Sequence, residues 1–185
     1  MAEVGPIKIM GAGLSGLAAA TILAKAGREV HVHDIREESG ARFDGDFQAL
    51  ENWSMGVDFF EQLKEWGFDT EEFKATEFKV VDLIHPDDKI TQAKSPKVAY
   101  RIVERGTSSH TIDQGIKRQA IAAGVKIHYK SRVKEDDCQI IACGPKGTSA
   151  VAYGEIFETD HPNHIGFQLN DKLAPGAYSY LIIID

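Results

Sequence analysis

Ile7-Lys8-Ile9-Met10-Gly11-Ala12-Gly13-Leu14-Ser15-Gly16 is the stretch on which the fold turns, and Glu29-Val30-His31-Val32-His33-Asp34 completes it. Pro6 to Met10 predicts a short buried strand. The spaced glycines predict a tight turn. Leu14 to Ala26, rich in Ala and Leu, predicts a helix that stops at Gly27, where a C-terminal glycine belongs. Val30 and Val32 alternate with polar neighbours up to Asp34, as in a second strand. The first 34 residues therefore spell strand, turn, helix, strand with short connections.

In such a unit each glycine has its own mechanical task. Gly11 permits the turn out of the strand. Gly13 keeps a side chain from coming between the backbone and an incoming pyrophosphate, and Gly16 lets the helix pack closely on the strand. The free N–H groups of the first helical turn, with the positive end of the helix dipole, attract phosphate. Ala12 and Leu14 contribute backbone here, and the Ser15 hydroxyl is expected to face the phosphates. A lone GxGxxG is weak. Here it follows a strand, opens a helix, and is followed 23 positions after Gly11 by Asp34 at a strand tip. Asp34 is placed to accept ribose hydroxyls and to repel a 2′-phosphate; the competing reading is a structural turn aspartate. Ile35, next in the chain, is counted with it among the cofactor-binding positions.

Further along, residues 35–50 read as loop, and 54–66 as an amphipathic helix with Met55, Phe59, Leu63 and Trp66 on one face. Residues 76–84 and 97–104 alternate as strands around a polar stretch from His85 to Pro96, predicting an antiparallel excursion. Ile112 to Ala123 predicts a helix ending at Gly124, and residues 125–129 a strand. Cys138 to Cys143 predicts a central parallel strand covered on both faces and ending at Gly144. Three more strands are expected near 153–158, 164–169 and 177–184. Because a hydrophobic strand closes the chain, the expectation is a piece of a longer polypeptide, or an edge that pairs with another copy or a partner chain.

The formal charge of −7 argues against a nucleic-acid partner, which requires clustered Lys and Arg; Lys117-Arg118 reads as a solvated helix face. Cys138 and Cys143 form no CxxC and read as buried, reduced thiols, so a cytoplasmic protein is the default. No apolar run reaches the ~20 residues of a membrane helix. No metal site is expected: in His161-Pro162-Asn163-His164 the proline prevents a helical ligand pair. Gly144 to Thr148 has the wrong spacing for a P-loop, and Trp53, Phe59, Phe60 and Trp66 read as core rather than as a substrate box.

The fingerprint from Ile7 to Asp34 resembles that of flavoproteins with two dinucleotide-binding domains, in particular the geranylgeranyl-reductase and p-hydroxybenzoate-hydroxylase-like group. Ser39-Gly40-Ala41-Arg42 is similar to their glycine-glycine-arginine, which implies that Arg42 contacts the FAD phosphates; the alternative is a free surface arginine. Tyr100 to Arg105 with Thr111-Ile112-Asp113 resembles the segment whose arginine, here Arg105, approaches the flavin; the alternative is a strand-end salt bridge. Ile140 to Gly144 resembles an Ala-Thr-Gly strand end beside the adenine half, with Cys143 in place of Thr, and Val133 matches a position that contacts adenine through its backbone. Leu173 to Tyr178 resembles the Ala-Pro-Gly-Gly-Tyr loop of geranylgeranyl reductases, although Tyr180, Ile182 and Ile183 stand where that family has Trp, Phe and Pro. No Gly-Asp motif, which holds the ribityl chain in these proteins, occurs after Gly144.

The resemblance thus implies an α/β, Rossmann-like FAD-binding domain over 1–150, with 50–104 as an inserted helix and antiparallel strands, and 151–185 as the start of a β-rich substrate domain. It implies an FAD-dependent oxidoreductase, reduced nicotinamide as electron donor, and a small isoprenoid or aromatic substrate. The chain would supply the adenosine end of the cofactor site. The alternatives are an NAD-dependent Rossmann dehydrogenase and a non-catalytic dinucleotide-binding module paired with another chain.

Overall fold

The computed structural model describes residues 5–54, 56–145, 147 and 151–185. Met55, and Lys146 and Thr148 of the Gly144–Thr148 segment, lie outside the described residues. The chain divides into two compact units: the first comprises Met1–Asp46, Phe60–Lys74 and Glu104–Val151, the second Phe47–Phe59, Ala75–Val103 and Ala152–Asp185.

The first unit is built around a parallel sheet. Its strands are β1 (Ile7–Met10), β2 (Val30–His33), β8 (Lys126–His128) and β9 (Ile140–Ile141), in the order β8-β2-β1-β9. Helices α1 (Leu14–Lys25) and α3 (Ile112–Ala122) pack on each other, and α1 lies against β1 and β2. The strand alternation read from the sequence drives this: Ile9, Val30 and Val32 are at most 1% exposed, as are Leu17 and Ala20 of α1 and Ala120 of α3. Each Val, Leu or Ile taken fully out of water contributes about 1.5–3 kcal/mol. Within α1, Thr21 is buried because its hydroxyl donates to the Leu17 carbonyl at 2.7 Å. Thr111 caps α3, accepting from the Gln114 amide at 3.3 Å.

The second unit holds two sheets. One has the order β11-β10-β5-β6, from β5 (Val80–Ile84), β6 (Ile90–Lys94), β10 (His164–Gln168) and β11 (Ser179–Ile183); the other has the order β3-β7-β4, from β3 (Phe47–Glu51), β4 (Ala75–Phe78) and β7 (Tyr100–Glu104). The expected antiparallel excursion is present as β4 against β7, Ala75 opposite Val103. Phe78, Val81, Ile102 and Ile165 form the core. Arg101, 7% exposed, is held there by both Asp58 oxygens at 2.9 Å and by Glu77.

Several expectations are corrected. Residues 35–50 include part of a strand, β3, and the polar stretch 85–96 contains β6. The segment expected as one strand over 76–84 is two strands, and the helix expected over 54–66 is the shorter α2 (Phe59–Glu65). Residues 153–158 form no strand, with Tyr153 89% exposed. The strand through Cys138–Cys143 is only the two-residue β9 at the sheet edge, so it is not central, and Cys143 is exposed rather than buried. Trp53 and Trp66 are about half exposed rather than core. Of the Lys117-Arg118 pair, Arg118 is exposed, as expected, and pairs with Glu72 at 2.7 Å, whereas Lys117 is half-buried and pairs with Glu38 at 2.6 Å.

Candidate functional site

Everything that bears on a dinucleotide site lies in the first unit, at the C-terminal ends of β1 and β2. Gly11 leaves β1 with φ +106°, and a Cβ there would collide with the Ala142 backbone, so only glycine fits. Gly16 is a matter of close approach: a Cβ would run into the Gly11 carbonyl. Gly13 differs from both. Nothing lies within 4 Å of where its Cβ would be, so no protein contact requires glycine there. It is the N-cap of α1, with no side-chain cap and no acidic residue in the first turn. The leading amides of a helix have no partners within it, and the Leu17 amide is the first to find one, the Gly13 carbonyl at 2.9 Å. Leu14 and Ser15 stand in that turn, Ser15 exposed. The result is a bare helix N-terminus behind an open backbone face, the arrangement an anion fits.

Asp34 braces this loop. Its Oδ2 accepts from the Ala12 amide and its Oδ1 from the Arg36 amide, both at 2.8 Å. An ionised carboxylate has about four acceptor positions, so lone pairs remain for hydroxyl donors. Ile35 beside it is 61% exposed. The loop is also tied from behind by Ser39, 2% exposed, whose hydroxyl donates to the Ala12 carbonyl at 2.7 Å and, its one hydrogen being used, accepts from Tyr129 at 2.7 Å. Burial pushes the Tyr129 hydroxyl up to about 12, so it stays protonated and donating. Ser39 stands in the motif read beside Arg42, but its partner Tyr129 escaped sequence reasoning, because the two are 90 residues apart.

Around the same mouth stand two arginines flanking one ring. The Arg42 guanidinium lies 5.2 Å from the Phe43 centroid and that of Arg105 lies 4.8 Å from it. Arg42 is exposed, with Nη1 3.4 Å from where a Gly144 Cβ would be, so Arg42 and Gly144 are neighbours. Arg105 is 11% exposed and forms a bidentate pair with Asp113, at 2.7 and 2.9 Å. Asp113 is 1% exposed and also accepts from the Gly106 amide at 3.0 Å. The Cys143 thiol is 3.7 Å from the Met10 carbonyl, which keeps the Ala142–Gly144 turn against the end of β1. Val133 is half-buried in the loop after Ser131, whose amide donates to the Asp34 carbonyl at 2.9 Å.

Glu38 anchors this rim to α3. Burial raises its carboxyl pKa, but the bonds from Lys117, the Ser39 amide and Gln114 outweigh that and hold it below the ordinary 4.5. A lowered folded-state pKa stabilises the fold above the ordinary value, and that stabilisation is lost as pH falls through the folded-state value. Glu38→Gln should therefore lower the melting temperature at neutral pH, and the gap to wild type should close as pH falls through the lowered folded-state pKa, below the ordinary 4.5. A gap that stays constant with pH would contradict this assignment.

Residues 9–48 match the family described as NAD(P)-binding Rossmann-like domain. The chain is also 49% identical over 43 residues to hydroxysqualene dehydroxylase of Rhodopseudomonas palustris, a match covering 23% of this chain and 10% of that enzyme. The fold extends the likeness much further. A geranylgeranyl bacteriochlorophyll reductase-like protein of Thermoplasma acidophilum superimposes with TM-score 0.64 at 18% identity, over 95% of this chain and 52% of that one. PqsL of Pseudomonas aeruginosa, a probable FAD-dependent monooxygenase, superimposes with TM-score 0.53 at 14% identity, over 70% of this chain and 34% of the other. 2-Methyl-3-hydroxypyridine-5-carboxylic acid oxygenase gives 0.52 at 21%, over 70% and 32%. The chain shares the α/β fold of these structures, contains a segment that matches an NAD(P)-binding Rossmann-like domain, and spans about half or less of these relatives. No helix among the described residues is long and apolar enough to cross a membrane.

Proposed function

We propose that this chain is the adenosine-binding portion of an FAD-dependent oxidoreductase and holds the ADP half of FAD between the Gly11–Gly16 loop and Asp34. The observation that carries the reading is the uncapped N-terminus of α1 behind Gly13, where the backbone presents amides and no side chain. In this reading the pyrophosphate meets the amides of the Gly13–Gly16 turn and the Ser15 hydroxyl. Asp34, flanked by Ile35, accepts a ribose hydroxyl. Arg42 supplies fixed positive charge from the rim beside Gly144, and Ala12, Val133 and Cys143 line the adenine side. Arg105 acts through Asp113 and Phe43, stiffening the wall toward the flavin.

The flavin, when bound, supplies the redox chemistry; the chain's residues bind and orient it. Reduced nicotinamide is the proposed electron donor. The proposed substrate class is a small isoprenoid or aromatic molecule, supported by the names of the similar dehydroxylase, reductase-like protein and oxygenase. The test is the visible spectrum of the purified chain, together with titration of FAD and NAD. Yellow protein, or micromolar FAD binding, is expected. A colourless chain that refuses FAD but binds NAD would overturn the flavin reading in favour of an NAD-dependent one, the reading that the family description favours. Asp34→Ala should weaken binding about tenfold, on the order of 1.5 kcal/mol for a hydrogen bond to a charged acceptor. Unchanged affinity in a calorimetric titration would make Asp34 a brace for Ala12 only.

A further inference from the structure

The face of the parallel sheet turned away from α1 carries three imidazoles. Val30 and Val32 of β2 point into the core, so alternation sends His31 and His33 to the other face. In the register of β2 with β8, His33 stands opposite His128, which joins them there. One ring nitrogen from each of the three can be chosen so that all lie within 4.8 Å of one another. His128 Nε2 is 3.1 Å from His31 Nδ1. Two nitrogens on a tetrahedral zinc, at Zn–N of about 2.05 Å, stand about 3.3–3.4 Å apart.

The far nitrogens of His31 and His33 have partners of the kind that metal-bound histidines use. His31 Nε2 is 3.1 Å from Glu29 Oε1, a carboxylate that can only accept, so Nε2 carries the hydrogen and Nδ1 turns its lone pair toward His128. Glu29 is itself held by Lys126 at 2.7 Å. His33 Nδ1 is 2.9 Å from the Ser131 hydroxyl, while its Nε2 is buried with no hydrogen-bond partner. Such an orphan is destabilising until something satisfies it.

We propose that His31 Nδ1, His33 Nε2 and His128 Nε2 form a site for a zinc-class divalent transition-metal ion. The site lies on the sheet face opposite α1, with Glu29 and Ser131 as orienting partners. Three neutral imidazoles suit Zn²⁺, Co²⁺, Ni²⁺ or Cu²⁺, and a fourth position is left for water. The His31 side chain is 22% exposed, which gives an ion a way in. The rings stand stacked, His33 and His128 at 4.7 Å and 17°, His31 and His128 at 5.1 Å and 26°. Convergence on one ion therefore requires rotation about χ2, a soft torsion in histidine.

The test is titration of the tag-free full chain with CoCl₂, followed by competition with ZnCl₂. The expected result is one Co²⁺ per chain with the visible bands of a four-coordinate site, displaced by Zn²⁺. The His31→Ala/His128→Ala pair should weaken uptake at least about 100-fold with the circular dichroism spectrum retained, while His161→Gln/His164→Gln should bind as wild type. Glu29→Gln, at an exposed position, gives a readout that does not depend on the double variant folding: about 10–100-fold weaker binding. No stoichiometric uptake overturns the site, as does uptake that survives the His31/His128 substitutions, needs His161 and His164, or is indifferent to Glu29→Gln.

Discussion

Gly13→Val is expected to abolish dinucleotide binding while the protein stays folded. The two halves of that statement rest on different observations. A Cβ at position 13 meets nothing within 4 Å, and its φ of −81° with ψ of −180° is a backbone conformation any residue adopts. Folding should therefore cost no more than about 1 kcal/mol, the scale of exchanging a helix N-cap glycine for a β-branched residue. The open volume that spares the fold is the volume the pyrophosphate would occupy, and two methyl groups there hold phosphate oxygens away from the α1 amides. Loss of those contacts should weaken affinity by a factor on the order of 100 or more, about 3 kcal/mol. FAD titration beside a thermal melt separates the two effects. Retained affinity with an unchanged melt would mean that the phosphates bind elsewhere, whereas the neighbouring substitutions Gly11→Val and Gly16→Val should fail at folding, because their Cβ atoms run into backbone.

The second large effect is expected from Asp113→Ala. The carboxylate is 1% exposed and takes three bonds, two from the Arg105 guanidinium and one from the Gly106 amide. Removing it leaves a nearly buried guanidinium without its carboxylate, which costs about 3–5 kcal/mol. For a chain of this size that is a fall of roughly 10 °C in melting temperature. Arg105→Ala should cost a similar amount, because Asp113 is then the stranded charge, and the double variant should cost clearly less than the sum of the two. Strict additivity would show that the two groups act independently. Measuring FAD affinity in the two single variants separates two roles for Arg105: as a wall, Arg105→Ala and Asp113→Ala lose affinity alike as the fold loosens, while as a ligand Arg105→Ala loses clearly more.

Local patterns in the chain were legible. The glycine loop, α1, β2, α3 and β8 each arise from a pattern inside one short window, with Gly27 and Gly124 ending their helices at positive φ. The failures have physical reasons as well. All five residues of β6 are exposed, so it carries no apolar alternation to detect. Tyr153, Ile156 and Phe157 are apolar but more than half exposed, and a hydrophobic run without a neighbouring strand forms no ladder. Residues 138–143 have the composition of a central strand, yet among the described residues β9 pairs on one side only, with β1, and shortens to two residues. The Ser39–Tyr129 bond and the Arg105–Phe43 contact could not be seen beforehand, because each joins residues far apart in the chain.

By itself, then, the sequence determined the βαβ unit and the position of the phosphate loop, since glycine spacing, helix periodicity and strand alternation act over a few residues. Only the tertiary structure decided that Gly13 is open where Gly11 and Gly16 are walled in, and that Asp113 is the buried partner of Arg105. It alone decided that His31 and His33 meet His128. Those three outcomes depend on which surfaces the folded backbone brings within a few ångströms, and contact between residues as far apart as 97 positions leaves no trace in a local window.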